Sequence, residues 1–170
     1  MIFSVSEAQK RPGEVFPIAL TEALEPETYA GNPVMFTAPA DITGSFSFDG
    51  KAFHVEAKAT VSYETACARC TKPFIETLTF SIDEHFVRDT VWDEEQDAYP
   101  YTREQIDLSQ AFFDNLFLNF PLVSLCKPDC LGLCPICGAD RNVNPCACQT
   151  EIGSGKFSAL QQLLNENKEV

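Results

Sequence analysis

Phe53-His54-Val55-Glu56-Ala57-Lys58-Ala59-Thr60-Val61-Ser62 is the stretch on which the fold turns. Phe53, Val55, Ala57, Ala59 and Val61 alternate strictly with polar neighbours, the period of two that a half-buried β-strand requires. Upstream, Phe46 and Phe48 alternate in the same way, and Asp49-Gly50 separates the two runs, so the pair reads as a hairpin with a tight turn. Downstream, Leu78, Phe80, Ile82 and Phe86 repeat the pattern, with a break at Glu84. Cys67-Ala68-Arg69-Cys70 lies between these last two runs and caps the loop joining antiparallel neighbours. A further strand is expected around Val34-Met35-Phe36.

Beyond the strands the pattern changes. Asp93, Glu94, Glu95 and Asp97 crowd residues 89–105, which read as a mobile acidic loop. Its Trp92, Tyr99 and Tyr101 either anchor a basic partner or pack on the sheet. Asp107 with Gln110 resembles a capping box, and Leu108, Ala111, Phe112, Asn115, Leu116 and Asn119 recur at helical spacing, giving a helix of about three turns. Pro121 stops it. Ser154 caps a second helix in which Phe157, Leu160, Leu163 and Leu164 share a face. The expected fold is α+β, a mainly antiparallel β-sheet, open or barrel-like, with two helices and a cysteine-rich zinc-knuckle segment. Residues 1–125 form the β-rich domain with the first knuckle and one helix. Residues 126–170 form the zinc-binding segment and the C-terminal helix, packed on the same domain.

Eight cysteines stand in a chain of 170 residues, at 67, 70, 126, 130, 134, 137, 146 and 148. A Cys-x2-Cys spacing lets two sulfurs reach one tetrahedral ion at about 2.3 Å while the backbone turns between them. The chain opens without the long apolar run of a secretion leader, and nowhere carries the roughly 20 apolar residues of a membrane span. A cytoplasmic protein is expected, and there clustered thiols bind metal rather than pair as disulfides. Cys134-Pro-Ile-Cys137-Gly138 has the proline and glycine of a ribbon-type knuckle, and Cys146-x-Cys148 supplies its second pair. Cys67, Cys70, Cys126 and Cys130 then make the other site. A partition in which Cys130 joins Cys134 and Cys137 satisfies the spacing as well.

Four thiolates with no histidine and no open position suit structural Zn²⁺, two ions in all, and disfavour catalysis. Thiolate iron, as in rubredoxin-like electron carriers, shares the knuckle and is the alternative from another class. Zinc storage or sensing is a third, opposed by the tightness of closed four-cysteine sites. Cys130-x3-Cys134-x2-Cys137 also has the spacing of radical enzymes that cleave S-adenosylmethionine, but too little chain follows it for their barrel. His54 and His85 fall in strand patterns as solvent-face residues, and no phosphate loop or nucleophile elbow is present.

The formal charge is −13, which argues against a broad phosphate-binding surface. Residues 67–72 and 126–156, however, hold Arg69, Lys72, Lys127, Arg141 and Lys156 against Asp129, Asp140 and Glu151. Any RNA contact is expected at those five cations, whose other role is to offset thiolate charge. The acidic remainder suits a basic protein partner.

Cys67-Ala-Arg-Cys70, the helix introduced by Ile106-Asp107-Leu108, then Pro121-Leu122-Val123 and Leu125-Cys126-Lys127-Pro128-Asp129-Cys130-x-Gly132-Leu133-Cys134-Pro135-Ile136-Cys137-Gly138 together resemble the YceD family, the large ribosomal RNA subunit accumulation proteins of bacteria and plastids. The resemblance runs from about residue 30 to the C-terminus. It implies a non-enzymatic ribosome biogenesis factor that supports accumulation of large-subunit ribosomal RNA, by binding precursor RNA, a ribosomal protein, or both. A purely protein-interaction module is the alternative within the binding class. Family members often carry Asp-Pro-Arg where this chain has Ser154-Gly155-Lys156, so the bidentate fork of arginine is lost there.

Overall fold

The computed structural model describes residues 1–93 and 97–148. Along them run β1 (Ile2–Ser4), α1 (Ser6–Lys10), β2 (Val15–Glu22), β3 (Glu27–Tyr29), β4 (Asn32–Phe36), β5 (Ala40–Phe48), β6 (Ala52–Ala66), β7 (Pro73–Arg88), β8 (Tyr99–Tyr101), β9 (Gln105–Asp107) and α2 (Ser109–Asn119). The strict alternation from Phe53 becomes β6, whose Phe53, Val55, Ala57, Ala59, Val61 and Tyr63 are buried. β6 pairs antiparallel with β7 over its whole length, from Ala52↔Val87 to Ala66↔Pro73. Its other edge takes β5 along Phe53–Thr60 and β4 at Tyr63 and Glu64. β2 flanks β5, β3 flanks β4, and β8 lies parallel to the end of β7. The sheet is open, and β1 with β9 forms a separate two-stranded ribbon.

The β5–β6 turn is the one read from Asp49-Gly50. Gly50 sits at φ 97°, where a side chain would be strained, and the Asp49 carboxylate accepts the Lys51 and Ala52 N–H groups, each at 2.7 Å. These two bonds, that of Ala52 foremost, hold the Asp49 carboxyl below its usual range.

α2 lies on the apolar face of β7, with Phe112 and Phe80 ring centroids 5.5 Å apart. It explains the break at Glu84, whose side chain points toward the helix and accepts a hydrogen bond from Asn115 Nδ2 at 2.7 Å. A polar pair therefore replaces an apolar one. The capping box is not formed, because Leu108 takes the N-cap with no side-chain bond and Asp107, one residue earlier, accepts the Ser109 N–H at 3.0 Å.

The acidic loop is shorter than its composition suggests. Asp89–Val91 makes a 3₁₀ turn and Tyr99–Tyr101 joins the sheet as β8. Tyr101 is buried against Phe53, Tyr99 packs on Phe86 and donates to Asp114 at 3.0 Å, and Trp92 Nε1 donates to the Ala98 carbonyl. Both tyrosines thus pack on the sheet. α1 and α2 are the helices of the described residues, and the helix expected from Ser154 lies outside them.

By contact the chain forms two compact units, Met1–Cys67 with Lys72–Cys126, and Ala68–Thr71 with the chain from Lys127. The apolar core, from Val5 through Ile42, Phe53, Ile82 and Phe86 to Phe112 and Leu116, belongs to the first.

Candidate metal centres

Register carries the first knuckle. β6 and β7 end at Ala66↔Pro73, and the Cys67 N–H donates to the Lys72 carbonyl at 2.9 Å, continuing the ladder one step before the chain turns. Inside that turn Thr71 adopts φ 60°, a left-handed angle that a β-branched residue rarely takes, and its hydroxyl donates to the Cys70 carbonyl at 2.7 Å. Gly138 follows Cys137 with φ 71°, so the two knuckles share one backbone device, with threonine in one and glycine in the other.

The second knuckle closes on itself. The Gly138 N–H donates to the Cys134 carbonyl at 2.9 Å, the Cys134 N–H to the Ala139 carbonyl at 2.8 Å, and Leu133 bridges Asp140 in antiparallel sense. Hydrogen bonds from the Cys137 N–H, then the Ile136 N–H, favour the Cys134 thiolate and lower its pKa to about 6. Cys148 is pushed up to about 12 by bonding with Cys137 and then Cys146. Thiolates placed side by side are stabilised by a cation between them.

The sulfurs fall into two groups, Cys67 with Cys70, Cys126 and Cys130, and Cys134 with Cys137, Cys146 and Cys148. Within each group all four lie within 4.8 Å of one another. A tetrahedral ion with Zn–S bonds of about 2.3 Å sets its sulfurs about 3.8 Å apart, so small side-chain rotations suffice to seat it. Cys67, Cys70, Cys130 and Cys134 are buried, and all eight cysteines are unbridged. The donor set and spacing fit a metal ion in each group.

Around these sulfurs stand residues that spacing alone did not single out. Asn142 Nδ2 reaches Cys130 Sγ at 3.5 Å, and its Oδ1 accepts the Leu131 N–H at 2.9 Å, while Asp140 Oδ1 accepts from both the backbone and the side chain of Asn142. Gly132, at φ 71°, lies where a Cβ would stand 2.9 Å from the Arg69 carbonyl oxygen. The Asp140-x-Asn142 pair, typical of local side-chain turns, is the sequence signal that could have found part of this.

The five expected cations have separate surroundings. Arg69 Nη1 donates to the Cys130 carbonyl at 2.9 Å and to the Pro128 carbonyl at 3.4 Å, holding the loop that carries Cys130. Lys127 lies 3.9 Å from Asp129, Lys72 accepts the Cys67 N–H with its carbonyl, and Arg141, exposed, donates its N–H to the Gly132 carbonyl. Lys156 lies outside the described residues. His54 and His85 are cross-strand partners on the polar face of the sheet, stacked at 4.6 Å, and His54 Nε2 lies 2.6 Å from Asp83. Half-buried His54 groups there with the exposed Glu56 and Asp83, an ordinary cross-strand arrangement. No helix among the described residues is long and apolar enough to cross a membrane.

An uncharacterized protein of Mycobacterium tuberculosis is 38 % identical over 83 residues, 46 % of this chain and 40 % of its own length. The chloroplastic large ribosomal RNA subunit accumulation protein YCED homolog 1 of Zea mays is 35 % identical over 63 residues, 36 % of this chain and 21 % of its own. An uncharacterized protein of Mycobacterium leprae is 26 % identical over 152 residues, covering 85 % of this chain and 69 % of its own. The chain thus spans less than half the length of the first two relatives it matches. No solved structure matches. The profile of one family matches residues 55–164, more than half of the chain and all eight cysteines: the chain belongs to the family described as large ribosomal RNA subunit accumulation protein YceD.

Proposed function

We propose that this chain is a zinc-stabilised, non-enzymatic binding factor in biogenesis of the large ribosomal subunit, acting in the cytoplasm on precursor large-subunit RNA, a basic ribosomal protein, or both. The observation that carries the reading is the pair of closed four-cysteine groups in a chain of a family named for ribosomal RNA accumulation. Cys67, Cys70, Cys126 and Cys130 would hold one Zn²⁺, and Cys134, Cys137, Cys146 and Cys148 the other. Bound zinc there supplies a cross-link and no open coordination position, so its role is to stabilise structure.

Lys72, Lys127, Arg141 and Lys156 are the cations best placed in sequence for RNA backbone contact, while Arg69 divides its guanidinium between that role and two loop carbonyls. The acidic remainder of the chain suits a basic protein. The test is to fractionate cell extract on a sucrose gradient at native abundance and sequence the RNA crosslinked to the protein. Enrichment of unprocessed large-subunit RNA in precursor fractions is expected. A protein confined to the top fractions without RNA overturns the RNA half of the reading, and co-purification that survives nuclease favours the protein half. The N–H-to-sulfur bonds at Cys134 would serve thiolate iron equally well, so metal content is measured on the same preparation. Two zinc ions in a colourless protein are expected, and a red protein with iron would move the reading to electron transfer.

A further inference from the structure

β7 is paired on one side only. Toward β6 every residue from Pro73 to Val87 has a partner, whereas the opposite edge meets β8 at Phe86, Val87 and Arg88 alone. Among the described residues no strand lies beside the edge from Pro73 to His85, and no turn or loop backbone bond reaches it. At about 3.3 Å per residue, that is about 40 Å of edge in which alternate residues turn both N–H and C=O away from β6. The template is firmly set, because Thr60 with Thr79, Ser62 with Thr77 and Tyr63 with Glu76 make cross-strand side-chain bonds of 3.0 to 3.1 Å.

The two ends of the sheet are defended differently. β2, at the far end, carries Pro17 within an eight-residue strand, a common device against edge pairing. β7 has no proline after Pro73 and no lysine or arginine between Lys72 and Arg88, but it does carry Asp83, beside His54 on the polar face, and Glu76 and Glu84 on the other face, where they accept from Tyr63, Ser124 and Asn115. We propose that the Pro73–His85 edge of β7 accepts an extended, lysine- or arginine-rich segment of a partner protein as an added strand. A second copy of this chain would set the same acidic residues against one another at a formal −13 each. RNA would meet the same charge and lacks the alternating N–H and C=O groups that complete a ladder. A cationic polypeptide satisfies both the backbone and the field. The inference rests on the protein-partner half of the proposed function and gives it a surface.

The test is residue-resolved hydrogen exchange on the full metal-loaded chain, alone and with an alternating Lys-Val octapeptide as probe. A control peptide has the same sequence and charge but N-methylated alternate residues on its hydrogen-bonding side. In the protein alone, alternate amides of residues 74–85 should exchange quickly and those between them slowly. The probe should slow the quick set at least tenfold, and the N-methylated peptide should bind at least tenfold more weakly. The double variant Thr77→Lys, Thr79→Lys adds two cations on the exposed face of the same strand and should weaken binding of the probe about tenfold. Equal binding of the N-methylated peptide overturns the proposal, since charge alone would then explain the affinity. So does slow exchange of every edge amide before the probe is added, with the mass in solution telling whether a second copy or the chain's own remaining residues cover the edge. Neither failure touches the gradient result, so loss of this surface and loss of the ribosomal reading are separable.

Discussion

Gly132 and Gly138 share a backbone angle, φ 71° in both, and differ in what surrounds them. Alanine at either position forces a left-handed conformation on a residue with a Cβ, at about 1 kcal/mol. At Gly138 nothing lies within 4 Å of the added carbon, so that is the whole cost. At Gly132 the carbon would stand 2.9 Å from the Arg69 carbonyl oxygen and 3.2 Å from the Arg69 Cβ. The oxygen cannot retreat freely, because it accepts the Leu133 N–H at 2.9 Å while the guanidinium of the same residue holds the Cys130 carbonyl. Crowding and a stretched hydrogen bond add about 1–2 kcal/mol, giving about 2–3 kcal/mol for Gly132→Ala against about 1 for Gly138→Ala.

The assay is cysteine alkylation in the metal-loaded protein, read site by site by peptide mass spectrometry under conditions where the rate follows the opening equilibrium. At tenfold for each 1.4 kcal/mol, Gly138→Ala should raise the rates roughly fivefold and Gly132→Ala roughly 30- to 150-fold. The comparison cancels the shared backbone term. Equal acceleration in the two variants would refute the argument that the Arg69 contact constrains this loop.

Asn142→Ala removes the donor to Cys130 Sγ and the acceptor of the Leu131 N–H, so metal should leave the Cys67, Cys70, Cys126 and Cys130 group about tenfold faster in chelator competition; release only from the other group would contradict this. Thr71→Asn replaces a β-branched residue at φ 60° with one that tolerates the left-handed region, and should raise the thermal midpoint by the equivalent of about 0.5 kcal/mol, whereas a lowered midpoint would show the Thr71 hydroxyl to matter more than the strain. Tyr63 and Tyr99 both have pKa values raised by burial and then by a carboxylate, Glu76 and Asp114 respectively. Their contribution to stability is therefore complete below the unfolded value of about 10 and is lost as pH rises above it. Urea midpoints should fall less steeply above about pH 10 in the double variant Tyr63→Phe, Tyr99→Phe than in the parent, and equal slopes would assign the alkaline loss to other groups.

The hairpin around Asp49-Gly50 and the strand after Cys70 were legible because each buries one face, and a buried face writes a period of two into the chain. β2 left no such trace, since only Ile18 of its eight residues is buried. β8 and β9 are three residues each, too short for any period, and Tyr99 and Tyr101 owe their place to Phe86 and Phe53 rather than to their neighbours in sequence. Glu84 looked like an interruption because its partner, Asn115, lies 31 residues away. At the cysteines, local spacing paired neighbouring thiols, and the structure brings the sulfurs together in the same two sets of four. The Asn142 donor and the Arg69 contacts with the Cys130 and Pro128 carbonyls were not legible, because they depend on where separate turns meet.

What holds the cysteine segment can be decided by burial. Between Lys127 and Cys148 the buried residues are Cys130, Gly132 and Cys134, and none is a large apolar side chain. Leu131, Ile136 and Val143 are each about 60 % exposed, so the described residues of this segment supply no hydrophobic core to offset the entropy of ordering these turns. Short backbone bonds, the Asp140–Asn142 network and the N–H groups directed at Cys134 supply local shape, but each is worth only about 1 kcal/mol net. A divalent cation held by such a four-cysteine group would bind with a free energy of order 10 kcal/mol, far above any single contact in the segment. The first unit, by contrast, has a continuous core from Val5 to Leu116. The five cysteines from Cys130 to Cys148 therefore stand where the described residues of this segment offer no apolar core, and the function proposed above is to be sought on the surfaces around them.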